Sequence, residues 1–413
     1  MLCLKWFNTL LIGKTEKLSF GEQPEGPIMN MPDLVMRKIM ENVDFITMLK
    51  LRKVCHAFRA FIDDTKLDNE LTKVKIDVTP STIYAFLDFA SAPWKSINSN
   101  YVAYGNNCLL KVKEGRNEKA KLIKNQDFVD TFFNDFGFIL RNQSTLLKTM
   151  NIEESSYNWY FLDSYDRDLL NRVKTIYSIY GCCTCTRPLR NFIEAQEHLE
   201  KINNKYTLQQ TTDKFYGRFA EILKSRESPI LIQNLEMRIL RPSHFLNMAR
   251  LVDMKQLKGI VIRKTSEYND NKDGTHLILD EIVELDVFDC IQVLSIRNFK
   301  VTLPLETFLH IPDLTVTIST LTIEDVLLIK KNMLTSPIAK SRCVFYNHIK
   351  DSDTLYNTLG YVNSSYTIQY WYYKIPESDQ TLQISRENFE TCMRPRCFTW
   401  IKTSWISKNA VVY

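Results

Sequence analysis

The stretch IYSIYGCCTCTRPLR (176–190) holds the densest group of reactive side chains in the chain: Cys182, Cys183 and Cys185. Cys182 and Cys185 form C-x-x-C after a strand-like run and before the helical pattern NFIEAQEHLEKI (191–202). A thiolate gains stability at a helix N-terminus, so the position suits a thioredoxin-like dithiol. The βαβ pattern that such a dithiol requires does not surround it. A zinc site needs four ligands, and the cluster supplies three sulfurs that Cys392 and Cys397 have no evident reason to join. The adopted reading is incidental structural or loop cysteines. His56, His198, His244, His276, His310 and His348 stand singly. No HExxH, GxSxG, Walker-type or dinucleotide fingerprint occurs. The expectation is therefore a chain that is not an enzyme, with no catalytic residue, no metal and no cofactor.

The totals point the same way. Glycine is scarce, at 11 residues, which counts against a Gly-rich phosphate loop. The formal charge of +5 comes from 53 basic and 48 acidic residues with interspersed signs. That balance permits a nucleic-acid partner without calling for one. The ten cysteines form no regular framework, and a chain of 413 residues needs none to be stable. Reduced thiols fit a cytoplasmic or nuclear protein. The opening MLCLKWFNTLLIGK is interrupted by Lys5 and Asn8 and lacks a small-residue cleavage site. It is also too short to span a bilayer, and no other segment reads as transmembrane, so no membrane partner is expected.

What could do specific work is binding. SFGEQPEGPIMN (19–30) reads as a linker, and Pro32 then sits where the first turn of a helix tolerates proline. Val35, Ile39, Met40 and Val43 recur at helical spacing. A second helix begins at Thr47 and carries Met48, Leu51, Val54, Cys55 and Phe58. Two or three short helices in about forty residues leave too little buried surface for a core of their own. The apolar positions are nevertheless wider than one stripe, so one face is expected to pack inward and the other to meet a partner.

The order Met31-Pro32, Val35, Ile39-Met40, Val43-Asp44, Met48, Leu51 and Val54-Cys55-x-x-Phe58 resembles an F-box. Met31 and Phe58 hold places usually taken by Leu and Trp, and LRKVCHAFRAFIDD (51–64) is similar to the nematode-type F-box A family. The resemblance implies docking to the Skp-type adaptor of SCF ubiquitin ligases, and through it to a cullin. Met31, Pro32, Val35, Ile39, Met48 and Val54 would then lie at or near the adaptor contact.

Further along, LTKVKIDV (71–78) alternates as a half-buried strand. In NQDFVDTFFNDFGFILRN (125–142), Phe128, Phe132 and Phe136 mark the core side of a helix. Strand-like runs follow at 235–240, 257–264, 291–298, 313–320, 341–347 and 366–374, with helical patterns at 242–252, 303–310 and 322–334. The spacing from Ile262 to Ile296 to Ile318 is irregular. The expected fold class is α+β: an N-terminal helical F-box, then an irregular leucine-rich-repeat-like solenoid of alternating strands and helices.

ELDVFDCIQVLSIRNFKVTLPLETFLHIPDLTVTISTLTIEDVLLIKKNML (284–334) and YWYYKIPESDQTLQIS (370–385) resemble the FTH domain that accompanies F-boxes in that family. The resulting division is an N-terminal segment and linker (1–28), F-box (29–66), a mixed strand/helix region of repeat-like architecture (67–219), FTH domain (220–362), and C-terminal strands and tail (363–413). Alternate strand residues face opposite sides. With Ile260 and Ile262 inward, Val261, Arg263, Ser295, Arg297, Thr315, Thr317 and Ser319 face out. Trp371 and Tyr373 are expected to join them. Arg263, Arg297, Thr317 and Trp371 are the expected target-binding row, since arginine and aromatics most often anchor interfaces.

The implied function is substrate recognition in an SCF-type E3 ubiquitin ligase, with an unidentified protein as substrate. The alternatives are a scaffold acting outside a ligase, an RNA-binding solenoid, and a thiol oxidoreductase built on Cys182 and Cys185.

Overall fold

A computed structural model describes residues 31–43, 47–48, 51, 54–65, 70–90, 96–114, 117–155, 207–265, 276–277, 279, 288–350, 354–360, 363–364, 368–387, 396–404 and 411–413. Cys182, Cys183, Cys185 and Cys392 lie outside the described residues. The chain divides into two compact units. One comprises Met1–Leu162, Arg190–Gln233 and Arg250–Asp253; the other Asp163–Leu189, Asn234–Ala249 and Met254–Tyr413.

The first unit opens with helix α1 (Asp33–Met40), helical residues at 47, 48 and 51, and helix α2 (His56–Thr65). Met36 and Met40 are four residues apart, as are Phe58 and Ile62, so each pair shares a helix face. The two pairs converge with Met48 into a buried cluster edged by Val43, Leu51, Cys55 and Phe61. The expectation of no core is thus corrected: five side chains suffice for a small one, because both helices turn an i, i+4 pair to the same place.

Strands β1 (Leu71–Thr79), β2 (Thr82–Phe89), β3 (Ile97–Tyr104), β4 (Asn107–Glu114) and β5 (Asn117–Ile123) pair antiparallel in chain order. Helix α3 (Phe128–Arg141) then returns the chain so that β6 (Leu147–Glu154) lies parallel to β1. Within the region 67–219, expected to mix strands and helices in a repeat-like architecture, residues 71–123 form consecutive hairpins. Short turns between consecutive strands permit only antiparallel pairing.

Asp127 caps α3 by accepting from the Val129 and Asp130 N–H groups, and α4 (Leu208–Lys224) opens with a Thr207–Gln210 capping box. Phe132, Phe133 and Phe136 of α3 meet Phe215 and Phe219 of α4. Gly137 permits this approach: a Cβ there would stand 2.6 Å from Ile222 Cδ1. Phe128, Phe132 and Phe136 are core, as their spacing predicts.

In the second unit, β7 (Ile230–Ile239, from Asn234 onward), β9 (Gly259–Lys264), β11 (Val293–Val301), β12 (Asp313–Leu321) and β13 (Ser341–Ile349) pair parallel in that order. The first residues of β7 pair instead with β8 (Val252–Asp253) in the first unit, and β10 (His276–Leu277) runs beside the end of β11. Among the described residues the crossovers hold helix α5 (Pro242–Ala249), single 3-10 turns and helix α6 (Ile323–Thr335), and the strands start at unequal intervals. A Thr322–Asp325 capping box opens α6: Thr322 N–H donates to Asp325 Oδ2 at 2.9 Å and Asp325 N–H to Thr322 Oγ1 at 3.1 Å. Past β13 the sheet turns antiparallel through β17 (Arg396–Thr403), β16 (Thr381–Glu387), β15 (Ile368–Lys374) and β14 (Asn363–Ser364). This is the irregular solenoid of strands and helices that the α+β reading predicts, with an antiparallel extension.

One buried row crosses this sheet in register: Leu235, Ile260, Leu294, Leu314, Arg342, Trp400, Ile384 and Trp371. Arg342 holds a leucine's place. Its guanidinium donates to the carbonyls of Pro312, Ser341 and Leu309 and to Asn332 Oδ1, tying the segment before β12 to helix α6 and β13. Burial lowers its pKa to about 10. Among the described residues, no helix is long and apolar enough to cross a membrane.

Candidate interaction surfaces

Two surfaces carry the residues that the sequence singles out. On the helical segment, the Pro32 carbonyl accepts from the Val35 and Met36 N–H groups, so Pro32 is the residue that caps α1, one position before its first turn. Met36 and Met40 then face the small core, and Met31, Pro32 and Val35 remain exposed. Ile39 is half-buried and Val54 is 59% exposed. Met48 departs from the expected set. At 5% exposure it belongs to the core that α1 and α2 share.

Leu34, 79% exposed, is the residue that sequence reasoning missed. At 3.6 residues per turn it lies about 200° from Met36. An apolar residue opposite an identified core position is the signal that could have found it.

On the sheet of the second unit, Ile260 and Ile262 are buried while Arg263 and Arg297 are exposed and Thr317 is half-buried, in keeping with the alternation. The row itself differs from expectation. Arg263 is in register with Arg297 on one side and with Arg238 on the other. Between Ser295 and Lys300 the ladder to β12 shifts, with Asn298 at a φ of 65°, so Thr317 pairs with Lys300 and not with Arg297. Asparagine is among the few residues that adopt this left-handed conformation readily. The Thr317 hydroxyl still reaches β11, donating to the Ile296 carbonyl at 3.3 Å. Arg238 went unnoticed because nothing local ties its strand to β9; only the crossover through α5 sets that register.

Trp371 is a correction. Its exposure is 0%, its ring stacks on Phe398 with centroids 6.3 Å apart, and its Nε1–H donates to the Gly360 carbonyl at 3.3 Å. Tyr373 is buried as well, its hydroxyl donating to the Leu359 carbonyl. Trp371 belongs to the row that begins at Leu235. The outward row, Val261, Ser295, Thr315, Cys343, Thr399 and Ser385, ends at Tyr370 instead. A one-residue error in strand phase moves every side chain to the other face.

Beyond Thr317 the same side carries Phe345 and the thiols of Cys343 and Cys397. The Arg297 guanidinium carbon lies 5.9 Å from the Phe345 ring centroid. The Cys343 thiol is held below its ordinary value, first by the Cys397 S–H, with Thr399 and Arg297 also contributing. Its partner Cys397 is pushed up by that same pairing and by burial.

One surface thus exposes apolar side chains and the other exposes arginines. Residues 28–70 match the F-box domain family and residues 213–360 the FTH domain family. The chain thus carries an F-box domain followed by an FTH domain, the arrangement found in F-box/FTH proteins. The F-box is a non-catalytic protein–protein interaction module. No curated protein and no solved structure matches the chain.

Proposed function

We propose that this chain is the substrate-recognition subunit of an SCF-type E3 ubiquitin ligase, working in the cytoplasm or nucleus. The helical segment docks on a Skp-type adaptor, and through it on a cullin, by way of Met31, Pro32, Val35, Ile39 and Val54, with Leu34 added. The outward side of the FTH sheet, including Arg263, Arg297 and Thr317, holds a protein target. The observation that carries the reading is a helix with two apolar sides: Met36 and Met40 feed a core, while Leu34 and Val35 stay exposed. Exposed Leu and Val on so small a helical segment gain roughly 1.5–3 kcal/mol each when a partner covers them. Catalysis would be positional, since holding target and charged ubiquitin carrier together raises their effective concentration.

The test is co-purification of the full chain with a Skp-type adaptor, compared with a Leu34→Ala, Val35→Ala variant. Loss of the adaptor from the variant, with unchanged thermal unfolding, supports the docking face. Undiminished capture rejects it. Reconstituted ubiquitination of a captured target separates a ligase subunit from a scaffold.

A further inference from the structure

Three arginines stand at one height on three successive parallel strands. The register pairs Arg238 of β7 with Arg263 of β9, and Arg263 with Arg297 of β11. Neighbouring strands are about 4.8 Å apart, so the row puts three positive charges along about 10 Å. Arg263 and Arg297 are exposed and Arg238 is half-buried. Among the described residues, none of the three has a carboxylate within ion-pair distance. Like charges directly opposite one another weaken a sheet. An anion bound between these arginines would offset that repulsion.

A second observation lies beside the row. Ser295 is on the same side of β11, two residues before Arg297, and is 8% exposed. Its Oγ has no hydrogen-bond partner among the described residues. A buried hydroxyl without a partner carries a desolvation cost that a ligand oxygen would relieve.

We propose that the Arg238–Arg263–Arg297 row binds a phosphorylated side chain within an extended segment of a protein target. This deepens the reading of the FTH sheet as the target face and names the chemistry recognised there. The guanidinium fork matches phosphate oxygens two at a time, so adjacent arginines can share one phosphoryl group. A phosphoryl group also carries close to two negative charges, against one for a carboxylate, and neutralises more of the row. A nucleic-acid backbone fits less well. Its binders can neutralise roughly six to ten phosphates, whereas this row, with Lys300 beside Thr317 further along β11, offers four charges and has Glu236 on the same side of β7. Past Arg297 the surface continues as the Thr317 hydroxyl and the Phe345 ring, suited to neutral residues flanking a phosphate.

The experiment measures binding of the full-length chain to fluorescent degenerate peptide libraries with a central phosphoserine, phosphothreonine or phosphotyrosine, and to their unphosphorylated twins. The expected result is at least about tenfold tighter binding of one phosphorylated library, as loss of a charge-assisted hydrogen bond implies. Arg263→Ala with Arg297→Ala should remove that preference. Because both side chains are exposed, thermal unfolding of the variant should match the parent, and Arg263→Lys with Arg297→Lys should keep part of the preference. Equal binding of the twins overturns the proposal, as does a preference that survives the alanine pair. Tighter, arginine-dependent binding of single-stranded RNA homopolymers would reassign the row to nucleic acid and overturn it too. No adaptor enters the assay, so a failed ligase reading leaves its result interpretable. Target ubiquitination that depends on Arg297 without any phosphate preference would keep the target face and discard the phosphate.

Discussion

The helical segment at residues 31–65 and the FTH sheet treat apolar surface in opposite ways. The segment has a five-residue core and leaves Leu34, Val35 and Val54 exposed beside it. The sheet encloses Trp371, Trp400, Tyr346 and Phe398 on one side and carries Arg263 and Arg297 exposed on the other. The contrast teaches how each can bind. In the proposed roles, a partner of the segment would cover its exposed apolar side chains, while a partner of the sheet would be drawn by charge and hydrogen bonds.

The largest expected effect tests the enclosed side of the sheet. Trp371→Ala should cost roughly 3–5 kcal/mol of stability, as removal of a buried large aromatic does. Thermal denaturation should register the loss in the second unit while adaptor capture persists. A variant that unfolds at the parent temperature would show Trp371 to be spare, and the contrast would break.

Met48→Ala comes next, at about 2–5 kcal/mol. Hydrogen exchange should speed up across α1 and α2 and not in β11 or β12. Met48→Leu, which conserves volume, should restore protection. If Met48→Ala instead left exchange unchanged and abolished adaptor capture alone, Met48 would be an interface residue after all.

Leu34→Ala should have the reverse profile. Exchange and unfolding stay as they were, while adaptor affinity falls by about 1.5–3 kcal/mol, tenfold or more. Measured side by side, Leu34 and Met48 then separate the outer and inner apolar sides of the segment.

The smallest effect lies outside both surfaces. Tyr101 donates to Asp135 Oδ2 at 3.0 Å, and burial holds the Asp135 carboxyl well above the usual range. A pKa raised by folding contributes stability that is full below the unfolded value of about 3.9. That stability is lost as pH rises toward and through the folded value. Asp135→Asn should therefore flatten the decline in stability with rising pH in denaturant titrations, and leave adaptor and peptide binding alone. Parallel curves for parent and variant would discount Asp135 as a source of the pH dependence.

Patterns that depend on near neighbours were legible before any coordinates. Phe128, Phe132 and Phe136 lie four residues apart and fall on one helix face; Thr322 and Asp325 lie three apart and cap α6. The order of residues from Met31 to Phe58 carries the F-box, and the strand-like runs from 257 to 347 reappear as β9, β11, β12 and β13. These follow from helix and strand periods, which a chain expresses over a few residues.

What lay beyond reach depended on distant partners. WYY in β15 has no alternation of its own, so the phase of Trp371 came from β16 and ultimately from a register that runs back to Leu235. Arg238, Arg263 and Arg297 are ordinary surface residues until two crossovers of unequal length set them in one line. Met48 and Leu34 look alike as letters, and only the convergence of α1 and α2 divides core from surface. The sequence by itself determined the local helix and strand patterns, because local sterics and hydrophobic periodicity act within each element. Only the tertiary structure decided which side each residue faces and which charges stand together, because register and burial are set by contacts between elements far apart in the chain.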